Sequence, residues 1–208
     1  MIKTITVDSK LAEAVNKELH SIKPPWQFVR TTNFYYQYAS PEQQAMLDSI
    51  NRKYGPVVDT QRFTDEIFNR FSRPNARFID IRTNPNSRYN KNYPNMAKLV
   101  NYLQMNYIPE NYSVYRLMSN MQTIRPKWLM NAIHPDAPET EKNFITILYY
   151  VNDSDGDTFF FDEDNCIARC QPIKGTAAVY PSITWHAGST PIEHETRVVI
   201  NMVFGPNK

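Results

Sequence analysis

Apolar residues recur at helical spacing in the first half of the chain. The segment 9–19 places alanine, valine and leucine three or four residues apart, which predicts a helix. Ser40 is followed by Pro41, an N-cap with proline in the first turn, and predicts the start of a second helix. Further along, the pattern predicts a third helix over 96–105 and short strands at 27–29 and 76–81.

From about residue 112 the pattern changes to short runs of β-branched, aromatic and apolar residues separated by turn residues. Eight such runs predict a double-stranded β-helix, or jelly roll. We therefore expect a mainly β, α+β fold in one domain spanning 1–208, with 111–205 as the core and 1–110 as a mixed region whose helices brace it. The predicted strands are 112–119, 128–134, 144–152, 158–161, 166–170, 176–180, 183–187 and 198–204.

Composition excludes several classes of protein. No apolar run approaches the length of a membrane helix, and nothing at the start of the sequence is typical of a secretory signal, so we expect a cytoplasmic protein without membrane contact. The net charge of +2 is spread along the chain and does not favour a nucleic-acid partner. With 5 glycines there is no phosphate-binding motif, and two cysteines, Cys166 and Cys170, are too few for a zinc site or a disulfide framework.

Two histidines and one carboxylate form a candidate metal site. His134 and Asp136 are two residues apart, so on a strand both side chains point to one face. His186 lies at the end of another predicted strand and completes the set. Two imidazoles and one carboxylate leave part of the metal open, which is typical of non-haem Fe(II) oxygenases. The predicted catalytic metal ligands are therefore His134, Asp136 and His186.

Arg197 is a candidate for binding a carboxylate beside this metal. It begins the last predicted strand, 11 residues after His186. We expect a hairpin that turns near 190–191 to bring the two residues opposite each other, where the guanidinium can bind a carboxylate with two hydrogen bonds. Asp155 and Gly156 predict a second hairpin turn, between the strands 144–152 and 158–161.

The order of these residues resembles the 2-oxoglutarate- and Fe(II)-dependent oxygenases, in particular their prolyl-hydroxylase-like branch. The resemblance covers about residues 112–205 and includes the run Tyr149-Tyr150-Val151-Asn152 and the turn at Gly156. It implies that Tyr150 and Arg197 bind the far carboxylate of 2-oxoglutarate, and that Asn201, on the same strand face as Arg197, contacts this co-substrate.

The resemblance implies a dioxygenase that hydroxylates an unactivated C–H bond, with a prolyl residue of a protein or peptide as the expected substrate. The implied cofactors are Fe(II), 2-oxoglutarate, dioxygen and ascorbate. Nucleic-acid demethylases of this superfamily carry a second arginine where Val203 stands here, which again disfavours a nucleic-acid substrate.

The sequence is also compatible with other interpretations. Tyr150 and Asn201 are also compatible with purely structural roles, and Trp185 is expected to turn away from the site into the core. The whole chain could be a non-catalytic or cupin-like metal-binding jelly roll that does not use 2-oxoglutarate. The turn-rich segment 83–95 is a candidate substrate lid.

Overall fold

The computed structural model describes residues 1–21, 40–54 and 93–207, together with the backbone of 27–29 and 62–69. Within these residues the chain forms three α-helices, one short 3₁₀ helix at Glu139–Glu141 and ten strands. The helices are α1 (Ser9–Ser21), α2 (Pro41–Tyr54) and α3 (Pro94–Tyr107). The strands are β1 (Lys3–Thr6), β2 (Gln27–Val29), β3 (Arg62–Asn69), β4 (Tyr112–Thr123), β5 (Ile145–Tyr150), β6 (Thr158–Asp162), β7 (Asn165–Cys170), β8 (Thr176–Pro181), β9 (Trp185–Gly188) and β10 (Thr196–Pro206).

The strands form two antiparallel sheets. The larger sheet has the order β1-β8-β5-β10-β4-β3-β2, and the smaller has the order β7-β6-β9. Their inner faces pack together, since Tyr150 and Tyr180 of the larger sheet share a buried apolar cluster with Phe160 of the smaller. Two sheets closed around a common interior make a double-stranded β-helix, which confirms the predicted fold class.

Two helices cover the outer face of the larger sheet. Side chains alternate along its strands, so Tyr149 and Ile200 point outwards while their neighbours Tyr150 and Asn201 point into the barrel. The outward residues pack with apolar side chains of α1 and α3 in the largest core cluster. The predicted bracing by N-terminal helices is thus confirmed, and β1 extends the same sheet by pairing with β8.

Helix α2 covers the smaller sheet. Ser40 accepts a hydrogen bond from the backbone N–H of Gln43, whose side chain accepts one from the N–H of Ser40, so α2 begins with a reciprocal cap. Leu47 and Ile50 then pack on the outer face of the sheet, where Trp185 also lies. The prediction that Trp185 turns away from the site is therefore confirmed.

Several predicted elements differ in the structure. The segment predicted as strand 128–134 makes only isolated bridges, from Met130 to Ser189 and from His134 to His186. The sequence did not predict β1 or β3. The predicted strand 76–81 and most of the predicted lid 83–95 lie outside the described residues. None of the helices in the described ranges combines the length and apolar character needed to cross a membrane.

Both predicted hairpins are wrong. Strand β9 pairs with β6 in the smaller sheet, whereas β10 pairs with β4 and β5 in the larger one. The segment around Asp155 and Gly156 likewise connects β5 of the larger sheet to β6 of the smaller. In both cases the chain passes from one sheet to the other, as it also does between β7 and β8.

Candidate metal centre

The structure brings His134, Asp136 and His186 together inside the barrel. One ligand atom from each side chain lies within 4.8 Å of the other two, and within the described residues this is the one group of histidine, cysteine and acidic side chains with metal-binding spacing. The two histidines are neighbours because their backbones exchange hydrogen bonds of 3.0 and 3.1 Å. The geometry is therefore produced by a short bridge between the connection after β4 and the start of β9.

Backbone carbonyls orient both imidazoles. The Nδ1 of His134 lies 2.8 Å from the carbonyl oxygen of Ala132, and the Nδ1 of His186 lies 3.0 Å from that of Thr184. Since a carbonyl oxygen can only accept, each Nδ1 carries the proton and donates it. In the neutral ring this leaves the lone pair on Nε2, which is the form that binds a metal.

Three side chains surround the carboxylate of Asp136. Arg116 of β4 donates to its Oδ1 and, at 3.0 Å, to its main-chain carbonyl. Asn201 of β10 donates to the same Oδ1 at 2.9 Å and accepts a hydrogen bond from Arg116. The hydroxyl of Tyr180, on β8, donates to the other oxygen, Oδ2, at 2.9 Å. Both oxygens of this buried carboxylate are thus fixed in position.

The electrostatics of Asp136 suit a bound cation. Burial raises the pKa of Asp136, but the neighbouring His186, Arg116 and His134 and the hydrogen bond from Tyr180 together hold that pKa below its ordinary value, so the group is a carboxylate. Its Oδ2 lies 3.5 Å from the Nε2 of His186. With the proton on Nδ1, these two atoms are both acceptors facing each other, and a metal ion between them would satisfy both. The three residues therefore fit a metal.

Arg197 is buried inside the same barrel, with 5% of its surface exposed. Its Nε donates to the carbonyl oxygen of Gly156 at 2.6 Å, Nη1 to the side chain of Gln122 at 3.1 Å, and Nη2 to the hydroxyl of Thr158 at 2.8 Å. Burial lowers the pKa of Arg197 from its ordinary value, which for an arginine still leaves the group charged. A buried cation with fixed geometry is what binding a carboxylate requires.

Tyr150 lies beside Arg197, as the sequence resemblance implies. Its hydroxyl donates to the hydroxyl oxygen of Thr158 at 2.9 Å, and Arg197 donates to the same oxygen. Burial is the main reason that the pKa of Tyr150 is raised, which keeps its phenol protonated and able to donate. Asn201 instead contacts Asp136 and Arg116. A contact between Asn201 and a co-substrate stays a prediction.

The sequence reasoning missed four residues that the structure places at the site. Arg116, Gln122 and Tyr180 lie on strands that the pattern predicts wholly or in part, and Thr158 begins another. One signal was available: Arg116 is a charged residue in the middle of an otherwise apolar run, which in a buried strand needs a partner. The other three side chains are of types that occur in any strand.

No family model and no curated protein sequence matches this chain. Solved structures do match it. The non-haem α-ketoglutarate-dependent epimerase SnoN from nogalamycin biosynthesis superposes with a TM-score of 0.58 at 11% identity, covering 99% of this chain and 77% of SnoN. The same epimerase in complex with Fe³⁺, α-ketoglutarate and nogalamycin RO gives 0.56 at 12% identity, covering 99% and 78%. A prolyl hydroxylase from Trichoplax adhaerens, in complex with a peptide fragment of the hypoxia-inducible factor oxygen degradation domain, gives 0.46 at 15%, covering 95% and 90%.

The structure and these comparisons together define the class of fold. The chain is a double-stranded β-helix with a histidine-aspartate-histidine group inside the barrel. Within that class, its fold is that of the 2-oxoglutarate- and Fe(II)-dependent oxygenases, as the sequence resemblance implies.

Proposed function

We propose that this protein is a 2-oxoglutarate- and Fe(II)-dependent dioxygenase that hydroxylates an unactivated C–H bond. The observation that carries the proposal is that one barrel encloses both a metal-binding group and a buried arginine. A metal-binding jelly roll that only holds its ion has no need of a buried guanidinium, since burying a cation is costly.

His134, Asp136 and His186 would hold the iron, the histidines through Nε2 and the aspartate through Oδ2. Bound iron supplies the activation of dioxygen: 2-oxoglutarate, dioxygen and the substrate C–H bond become succinate, carbon dioxide and an alcohol. The protein's part is to bind and orient the reactants and to keep water from the site. The enclosed apolar wall around Phe160 and Tyr180 serves the last of these tasks.

Arg197 and Tyr150 would bind the far carboxylate of 2-oxoglutarate. The described contacts use three of the five N–H groups of Arg197, which leaves one on each Nη nitrogen for a carboxylate. Tyr150 can rotate its hydroxyl from Thr158 to the same anion. Such charge-assisted hydrogen bonds are strong in a buried site, because little water competes for them.

On the basis of the sequence resemblance, we further propose that the substrate is a prolyl residue of a protein or peptide. It is tested by incubating the loaded protein with proline-containing peptides and measuring, by mass spectrometry, the gain of one oxygen atom. Proline-free peptides of matched composition are the control. We place this activity in the cytoplasm, in keeping with the free thiols of Cys166 and Cys170.

The deciding experiment is an anaerobic titration of the apo protein with Fe(II) and then 2-oxoglutarate, followed by the visible charge-transfer band of the iron–keto acid complex. We expect the band in the native protein and in Arg52→Gln, a control that removes an exposed arginine of α2. His186→Ala should lose it through the metal. Arg197→Gln should retain iron binding but require a much higher concentration of 2-oxoglutarate.

The outcome separates the proposal from its rival. A folded native protein that binds iron but gives no band with 2-oxoglutarate would be a cupin-like or non-catalytic metal protein. Formation of succinate under air, measured before any substrate is known, gives an independent check on the use of the co-substrate.

A further inference from the structure

Arg116 occupies an unusual place for a cation. It belongs to β4, directly across the ladder from Val203 of β10, and points into the barrel beside the proposed metal. Its guanidinium forms an ion pair with Asp136, whose side chain is almost fully buried. A positive charge next to a metal ligand repels the metal, so its presence calls for a compensating role.

The hydrogen bonds around Asp136 suggest that role. Oδ1 accepts from both Arg116 and Asn201, which leaves it little capacity for a metal. Oδ2 accepts only the hydroxyl of Tyr180 among the described hydrogen bonds, and it is the oxygen that faces the Nε2 of His186. The two oxygens of the carboxylate are therefore not equivalent.

A carboxylate binds a metal through either one or two oxygens, and here the difference matters. Two imidazoles and one oxygen leave a whole face of an octahedral metal open. The proposed co-substrate and dioxygen would need these open positions. If Asp136 bound through both oxygens, one of these positions would be lost.

We propose that Arg116 and Tyr180 are positioning residues that make Asp136 a one-oxygen ligand, Arg116 by engaging Oδ1 and Tyr180 by orienting Oδ2. The inference rests on the proposed function and adds to it two residues that neither touch the co-substrate nor bind the metal. Arg116 also donates to the main-chain carbonyl of Asp136, so its two terminal nitrogens hold both the backbone and the side chain of that residue.

The experiment uses the full-length protein, loaded with Co(II) or Fe(II), and four variants. Arg116→Met removes both the charge and the two guanidinium nitrogens that bond Asp136. Arg116→Lys keeps the charge but lacks this pair of donor nitrogens. Tyr180→Phe removes one hydroxyl. Tyr149→Phe is its matched control, since Tyr149 is a fully buried tyrosine on the outward face whose hydroxyl has no hydrogen-bond partner in the described part of the chain.

The first readout is the infrared difference spectrum between metal-loaded and apo protein, with bands of Asp136 assigned by their loss in Asp136→Asn. One-oxygen binding gives a wide separation of the two carboxylate stretches, and two-oxygen binding gives a narrow one. We expect a wide separation in the native protein and in Tyr149→Phe, and a narrow one in Arg116→Met. This readout does not need 2-oxoglutarate, so it tests the inference even if the proposed co-substrate is wrong.

The second readout is a pair of affinities. In Arg116→Met we expect the metal to bind severalfold more tightly, because a repelling charge is gone, while 2-oxoglutarate binds the loaded protein about tenfold more weakly. Arg116→Lys should weaken 2-oxoglutarate binding and leave metal affinity near the native value. Tyr180→Phe should shift the charge-transfer band to longer wavelength, because the carboxylate becomes a stronger donor.

If Arg116 and Tyr180 only maintained the fold around the site, their variants would give a different result. Loss of that fold would weaken metal binding and 2-oxoglutarate binding together. That outcome, or a carboxylate splitting in Arg116→Met equal to the native one, would overturn the inference.

Discussion

The guanidinium of Arg197 lies directly on Gly188. A Cβ at position 188 would stand 3.1 Å from Cζ, Nη1 and Nη2 of Arg197, which is tighter than ordinary side-chain packing. Strands β9 and β10 belong to different sheets, so this contact joins the two sheets at the arginine. Gly156 lies against the Cδ of the same side chain, where its own Cβ would be only 2.8 Å away.

Alanine at these two glycines should have different effects. In Gly188→Ala the three atoms nearest the added Cβ all belong to the guanidinium of Arg197, and we expect 2-oxoglutarate affinity to fall while the melting temperature changes little. Gly156→Ala also places its Cβ 2.6 Å from the carbonyl oxygen of Ser189, so the backbone must move, at a cost of about 1–3 kcal/mol of stability. Calorimetric titration with 2-oxoglutarate and thermal melts measure the two effects. Equal loss of stability in both variants would contradict this assignment.

Glu18 is expected to stabilise the start of α3. This buried residue of α1 accepts hydrogen bonds from the backbone N–H groups of Asn95 at 2.8 Å and Met96 at 2.9 Å. The helix has no side-chain cap of its own at its N-terminus, so Glu18 takes the part of one. Glu18→Ala should lower the free energy of unfolding by about 1–2 kcal/mol in urea denaturation.

The matched control for this prediction is Glu13→Ala on the same helix. Glu13 is partly exposed and pairs with Lys17 and Lys174. Exposed ion pairs contribute little because water and salt screen them, so this variant should unfold close to the native midpoint. A loss as large as that of Glu18→Ala would mean that the charge of α1, and not the cap, is responsible.

Asp155 predicts a dependence of stability on pH. Burial raises its pKa, but hydrogen bonds from the backbone N–H groups of Ile192, His194 and Glu193 outweigh that effect and lower the pKa to about 2. A carboxylate whose pKa is lower in the folded state stabilises the fold above its unfolded pKa, and this contribution disappears as pH falls through the folded value. Asp155→Ala should therefore be less stable than the native protein near neutral pH.

The difference in unfolding free energy between the native protein and Asp155→Ala should become smaller as the pH falls below about 4, towards the pKa of Asp155 in the folded state. Urea denaturation at about pH 7 and about pH 3 measures it. Asp162→Ala, at an exposed position of β6, is the control and should show no comparable narrowing. A gap for Asp155→Ala that stays constant with pH would show that the loop depends on packing and not on this charge.

Metal binding should stabilise the fold. A ligand that binds only the folded state adds about 2.7 kcal/mol when its concentration is a hundredfold above its dissociation constant. We expect Fe(II) or Co(II) to raise the melting temperature under anaerobic conditions and a chelator to reverse the rise. His186→Ala should abolish the effect, whereas His20→Ala, at an exposed position of α1, should keep it. A rise that persists in His186→Ala would place the metal elsewhere.

Much of the fold was predictable because its signals are local. The helix over 9–19 and the capped start at Ser40 appear in the structure, since spacing and capping depend on neighbours in the chain. Most strands of the core were predicted within a few residues. The segment 128–134 was not, because its apolar residues belong to a connection that only bridges β9 at two points.

Part of the candidate metal site was also predictable from residues that are close together in the sequence. Strand alternation predicted His134 and Asp136 on one face, and two histidines with a carboxylate suggest an open metal site. In the structure the two side chains do meet, but Asp136 follows an isolated bridge at His134 and does not lie on a strand. His186 joined them through a backbone bridge that no spacing in the sequence could specify. Arg197 lies buried inside the barrel, but the predicted hairpin that would bring it opposite His186 does not form, and its role beside the metal stays a prediction.

By itself, the sequence determined which residues share a strand face, where helices begin, and which side chains are chemically able to hold a metal. Only the tertiary structure decided which strands are neighbours, and thereby that Arg116 lies across from Val203 and meets Asp136, and that Tyr180 completes the set. The physical reason is that alternation along a strand is set by the backbone, whereas pairing and sheet membership depend on how distant segments bury their apolar surfaces together.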